Sequence, residues 1–347
     1  MSAQRAGVAD LPLHGGRCPP WLFKRMKKLA GLITEVIVYE YGTDEFLRRI
    51  SNPYFFQSFG CVLGFDWHSS GLTTTTLGAL KEAINPEKHG IAILGGKGHT
   101  SRKTPDEIES MSEIFPLTEN EVDYLKYASR MVAKVDNSAV QDGYQLYHHS
   151  FILSEKGDFA VVQQGMNSET RYARRYHWLS DKIESFVSEP HTAICCDHRG
   201  RTLNMVAKES EESRRVSVDL VKDGLGEVKK YLIMGRYHWI DNRVFKKLLD
   251  LKEFQPRDYE EILAFPGVGP KTIRALALTS KLIYGTEPSW RDPAKFSFAR
   301  GGKDGTPYPV DRQTYDEGNE ILRNAIENAK LGNKEKLQAI RRLETFI

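Results

Sequence analysis

The sequence predicts an α+β fold, on three observations. Strand-like and helix-like segments are mixed over residues 1–205. From 206 to 347 every patterned segment reads as helix. No internal repeat or low-complexity tract interrupts either part. The expected organisation is an N-terminal mixed α/β domain, 1–205, followed by an all-α domain, 206–347, and a chain of 347 residues is long enough for both.

Taken in order, ITEVIVYEY (33–41) is β-branched and reads as a strand. TDEFLRRISN (43–52) reads as a short helix with Thr43 as N-cap. GIAILGG (90–96) reads as a buried strand running into a glycine-rich loop. TPDEIESMSEIF (104–115) is a helix with Pro105 in its first turn. LTENEVDYLKYASRMVAKVDN (117–137) is a stronger one: Thr118 and Glu121 form a capping box, and Val122, Leu125, Ala128 and Val132 share a face. GYQLYHHSFILSEKGDFAVVQQGM (143–166) is a hairpin turning at SEKGD, and HTAICC (191–196) is a further short strand. Beyond 205, helices are expected in NMVAKESEESRRVSVDLVKD, GEVKKYLIMGRY, NRVFKKLLDLKEF, DYEEILAF, KTIRALALTSKLIYG and VDRQTYDEGNEILRNAIENAK, with breaks at Gly, Pro and Asp.

Composition narrows the function classes. The chain is 40% hydrophobic and 27% charged, with a net charge of +3. It has no run of about 18 apolar residues, so no membrane span is expected, and its N-terminus lacks a signal-peptide layout. A cytoplasmic protein is the expectation. The four cysteines, Cys18, Cys61, Cys195 and Cys196, form no C-x-x-C, which argues against a zinc knuckle or a four-cysteine cluster and for reduced thiols.

The segment with most chemical content is FPGVGPKT, 265–272, inside EEILAFPGVGPKTIRALAL. Ile262, Leu263 and Phe265 close one short helix. Pro266-Gly267-Val268-Gly269 make a turn. Pro270 starts a second helix, which Ile273, Ala275, Leu276 and Leu278 pack back. Glycines here bring bare backbone to the surface, and N–H groups at a helix N-terminus suit an anion. A nucleic-acid phosphate is the expected ligand, contacted by Pro266, Gly267, Val268, Gly269, Lys271 and Thr272.

This pattern, h-x-x-h-P-G-h-G-x-K-T, is that of the helix-hairpin-helix. With GTPYPVDRQTYDE (305–317) it makes residues 228–330 resemble the helix-hairpin-helix DNA glycosylase superfamily. That resemblance implies DNA repair on a flipped base, by a DNA glycosylase or glycosylase/AP lyase, with Lys271 and Asp311 as catalytic residues. A lysine amine of lowered pKa would attack the sugar carbon, and a carboxylate would stabilise its positive charge. Lys271 equally suits a phosphate grip, and Asp311 equally suits a helix N-cap. The two lie forty positions apart, a wider gap than the family usually has, and the cysteine cluster of one branch is missing. The reading requires no cofactor and leaves room for a monovalent cation at the hairpin.

Over its whole length the chain resembles an archaeal and thermophilic bacterial family known as a domain of unknown function, on AGVADLPLHGG, FDWHSSGLTTTTLGALK, LGGKGHTSRKTPDEI, GDFAVVQQGMN and KFSFARGGKDGTPYPVDRQTYDE. That resemblance implies no chemistry. In GGKGHTSRK (95–103), Lys97, Arg102 and Lys103 suit a phosphate clamp, but the segment is not a Walker loop. In RYARRYHW (171–178), Arg174 and Arg175 among aromatics suit a nucleic-acid surface. His148 and His149 should point to opposite faces of a strand. Two alternatives stay open. One is a structure-specific nuclease, with Asp142, His149, Asp158 and a further partner holding a divalent metal in the α/β domain. The other is a non-catalytic nucleic-acid-binding protein. DNA, double- or single-stranded, is the partner in every case; the oligomeric state is left open.

Overall fold

The computed structural model describes residues 11–13, 17–66, 69–196, 198–226, 228, 241–294, 312–329, 336 and 339–343. The chain opens with helix α1 (Pro20–Ser51), broken at Gly42, which takes φ +85°. This corrects the strand expected at 33–41. Met26, Ala30, Ile33 and Ile37 are fully buried at helical spacing, so burial of one face outweighs the β preference of the branched residues. Asn52 then caps α2 (Pro53–Val62), its side chain accepting from the N–H groups of Tyr54 and Phe55. Helices α3 (Gly71–Ala83) and α4 (Pro86–His89) lead into β1 (Ile91–Lys97).

A 3₁₀ turn, Gly98–Lys103, connects β1 to α5 (Thr104–Met111), and α6 (Glu119–Lys134) follows with the expected capping box at Thr118 and Glu121. A π-turn over Val135–Ala139 ends α6 and feeds β2 (Val140–Gln141). The expected hairpin is β3 (Gln145–Ser154) and β4 (Phe159–Asn167). It continues into β5 (Tyr172–Leu179) and β6 (Ala193–Cys195). These make a five-stranded antiparallel sheet in the order β1-β3-β4-β5-β6, while β2 pairs with β7 (Leu203–Asn204). Helices α7 (Glu211–Lys222), α8 (Asn242–Phe254), α9 (Tyr259–Ala264), α10 (Pro270–Tyr284) and α11 (Arg312–Asn328) complete the described elements.

The sheet is covered on both faces, which is why its strands read as nearly unbroken apolar runs. Ala92, Leu94, Phe151, Leu153, Phe159, Val161 and Trp178 pack with α5, α6 and the helices from α7 to α10. Ile91, Ile93, Ile152, Ala160 and Val162 pack on the other side with α1, α2, α3 and α11. The fold is α+β as expected, but position 206 does not separate two cores. Val216, Leu220, Leu248, Ile262, Ile273 and Leu276 share one apolar cluster with the sheet. Those helices pack on one another, α7 against α8, α9 and α10, and join the sheet's cluster through α6 and the π-turn. Among the described residues no helix is long and apolar enough to cross a membrane.

Candidate functional site

Two helices and a turn form the hairpin, as its glycines require. Asp258 caps α9, and Gly267 sits at φ +81°, where a Cβ would also meet Lys247 Cε at 2.9 Å. Val268 is buried and anchors the turn from below. Pro266 and Gly267 are exposed, and around Gly269 the space is open. No side chain caps α10, whose first residue is Pro270. Its first-turn N–H groups therefore remain available to a ligand.

The turn is held by a residue that the sequence did not single out. Lys134, the last residue of α6, directs its ammonium into the carbonyls of Leu263 (2.7 Å), Ala264 (3.2 Å), Phe265 (2.7 Å) and Val268 (3.4 Å). The cation in this cradle is thus the chain's own. Burial, and then the nearby Lys247 ammonium, pull its pKa down to about 8. A trans peptide sets N–H opposite C=O. With the Val268 carbonyl turned in toward Lys134, the Gly269 N–H is turned out, toward the open side. Gln141 donates to the Pro270 carbonyl at 2.8 Å, and Arg274 donates to Gln141 at 2.8 Å, so the start of α10 is also tied to the strand after the π-turn.

Lys271 projects from this surface with its side chain 82% exposed, 3.7 Å from the Asp241 carboxylate. The burial that a reagent amine calls for is not present there. Thr272 is buried, so its hydroxyl is not offered to a ligand. Asp311 lies outside the described residues. Lys97, Arg102 and Lys103 are exposed at and after the end of β1. The glycine run before them is pinned: Gly95, at φ +77°, passes so close to β3 that a Cβ would meet the His149 carbonyl at 2.3 Å, and Glu107 accepts its N–H at 2.6 Å.

Arg174 and Arg175 require a correction. Both are fully buried in β5 and neither faces solvent. Arg174 pairs with Asp142 and Asp292 at 2.8 Å each, and Arg175 donates to Thr73 (2.9 Å) and Gln57 (2.8 Å). They are interior struts, bought by matching acceptors rather than aimed at phosphate. The same pairing consumes Asp142. Asp158 lies in the β3–β4 turn, hydrogen-bonded to Ser180, well along the sheet from His149, which pairs with Gln163. The metal set Asp142, His149 and Asp158 therefore does not assemble. Among the described residues no group of three or more His, Cys, Asp or Glu side chains is placed to hold a metal.

What does assemble on the α6 face of the sheet is a buried polar chain. Ser129 Oγ lies 3.0 Å from His149 Nε2, and His149 Nδ1 lies 2.8 Å from Gln163 Oε1. The Gln163 amide nitrogen donates to the Val132 carbonyl (3.3 Å) and to Asp136. Asp136 also accepts from Trp178 Nε1 at 3.0 Å and meets His191. His148 faces the other way and reaches Ser150 Oγ at 2.9 Å.

An α+β protein whose C-terminal helices share an apolar cluster with the sheet and carry a glycine hairpin at the surface is the class that this structure defines. The chain belongs to the family described as "Protein of unknown function (DUF763)", which matches residues 7–310 and so runs across position 206. No curated protein and no solved structure matches it.

Proposed function

We propose that the chain is a DNA-binding protein that holds the sugar–phosphate backbone on the hairpin 265–272. One observation carries this reading: the turn's carbonyls converge on Lys134, which leaves the Gly269 N–H, the uncapped start of α10 and the exposed Lys271 together on the open side. Backbone N–H groups and a lysine charge on bare glycine backbone suit a phosphate, and such a contact positions without reading sequence. Lys271 is the grip, since it stands in water. A place in DNA repair, as a glycosylase or glycosylase/AP lyase, is the narrower reading supported by the resemblance of the hairpin.

The test is fluorescence anisotropy on labelled single-stranded, duplex and abasic DNA from low to moderate salt. Affinity should fall steeply with salt. Lys271→Gln should weaken binding evenly across sequences and lower the log–log salt slope by about one. Binding that is absent, or indifferent to salt and to Lys271, sinks the reading. Borohydride trapping on the abasic duplex separates grip from reagent: a covalent adduct lost in Lys271→Gln would make Lys271 the lyase amine.

A further inference from the structure

A cleft of about 400 Å³ opens between the 3₁₀ turn, α6 and β3. Ser129, His149 and Gln163 line it, and so do Arg102 and Arg130. We propose that this cleft hydrolyses phosphodiesters, with Ser129 as nucleophile and His149 as its general base.

The argument begins with hydrogen bookkeeping. The Val132 carbonyl and the Asp136 carboxylate only accept, so the Gln163 side chain must turn its NH₂ to them and its oxygen to His149. That oxygen also only accepts, so His149 Nδ1 carries the hydrogen. A neutral imidazole has one such hydrogen, which leaves the Nε2 lone pair facing the Ser129 hydroxyl at 3.0 Å. Burial keeps the ring neutral, its pKa lowered by desolvation against the opposing pull of Gln163 and Asp136. The tautomer and orientation are those a serine–base pair needs, with Gln163 as orienter and Asp136 fixed behind it by Trp178 and His191. A serine–histidine bond serving packing alone has no need of a cleft at its door or two arginines on that cleft.

The arginines select an anionic substrate. Helix α6 links the cleft to the hairpin. Lys134, which clasps the turn, follows Ser129 by five residues, about 7.5 Å along the axis. The cleft and the hairpin are thus both built on the last turns of one helix, at different positions around its axis. The choice of a phosphodiester over a carboxylic ester rests on the DNA-binding reading above. In the first step the Ser129 Oγ–P bond forms and the hydroxyl proton passes to His149 Nε2. The P–O bond to one sugar breaks, and the departing oxygen takes that proton. Water then attacks the phosphoryl-serine, giving a proton to His149, which returns it to Ser129 Oγ. One water is consumed, and a phosphomonoester and an alcohol are released.

The experiment uses the full chain with bis(p-nitrophenyl) phosphate, p-nitrophenyl acetate, and fluorescent single-stranded and duplex oligonucleotides, with binding measured alongside. The expected result is cleavage of the phosphodiesters. Ser129→Ala should lose it about a hundredfold or more while keeping a cooperative melt and the parent's DNA affinity. An acid-quenched reaction should carry a phosphoryl adduct on the Ser129 peptide, missing in Ser129→Ala and in His149→Gln. DNA bound without product or adduct overturns the proposal and leaves the binding reading standing. Cleavage unaffected by Ser129→Ala overturns the assignment of the cleft. Ser129-dependent hydrolysis of the acetate alone overturns the substrate class. Ser129-dependent hydrolysis of bis(p-nitrophenyl) phosphate without DNA binding keeps the cleft and removes the hairpin reading.

Discussion

The ammonium of Lys134 lies 2.7 Å from the carbonyl oxygen of Phe265, 131 residues on, and this contact joins the end of α6 to the turn of the hairpin. Replacing the lysine with alanine would leave several carbonyls pointing at a vacated space. The expected loss is about 1–3 kcal/mol. Potassium or sodium can enter that oxygen cradle, whereas tetramethylammonium cannot. Melting of Lys134→Ala at fixed ionic strength should therefore be higher in the small cations, and that of the parent should not differ. Equal response of the two proteins to the ions would show that the carbonyls do not form a cation seat.

Gly267 tests the turn from the other side. Alanine there must take φ +81° and meets Lys247 Cε at 2.9 Å. The left-handed backbone alone costs about 1–2 kcal/mol. Gly267→Ala should lower the unfolding midpoint and weaken DNA binding together. Gly269, at φ −145° with open space around it, should accept alanine with little change in stability.

Acid should unfold this protein earlier than its net charge suggests. Burial pulls the pKa of His148 down to about 3, holds His177 well below its ordinary value and lowers that of His149. The unfolded chain binds these protons near pH 6.5, and the native state does not. Stability is therefore full above about 6.5 and falls as pH drops below it, by up to about 1.4 kcal/mol per pH unit for each histidine. Urea midpoints between pH 7.5 and 4.5 measure the slope, and His148→Gln should flatten it.

Asp136 accepts from Gln163, Trp178 and His191 inside the protein. Asn at this position offers one acceptor and presents a donor to donors. Asp136→Asn should cost about 2–4 kcal/mol in chemical denaturation. It should also free Gln163 to flip, which shifts the His149 ring signals in the NMR spectrum.

The parts of the fold legible in the sequence were those fixed within a few positions. The capping box of Thr118 and Glu121, the β3–β4 hairpin and the 265–272 turn each depend on neighbours in the chain. The segment 33–41 reads as a strand by its β-branched residues, whereas the buried spacing that makes it helical begins earlier, at Met26 and Ala30. Arg174 and Arg175 read as surface residues in the sequence because the acids that neutralise Arg174 sit 32 and 118 positions away. The Ser129 chain spans separations of 20, 14, 27 and 55 residues. Its one local trace is a serine on the apolar stripe of α6, four residues after Leu125. A polar residue at a core position was the available signal, and it named no partner.

The outer layer over the far face of the sheet is shared by α1, made first, and α11, made some three hundred residues later. Synthesis therefore runs ahead of closure. Until residues 321–343 have left the ribosome, Met26, Ile33 and Phe59 lack part of their cover. Nascent chains stopped short of that point should present a greasy flank to chaperones, and release from them should come as a late, single event.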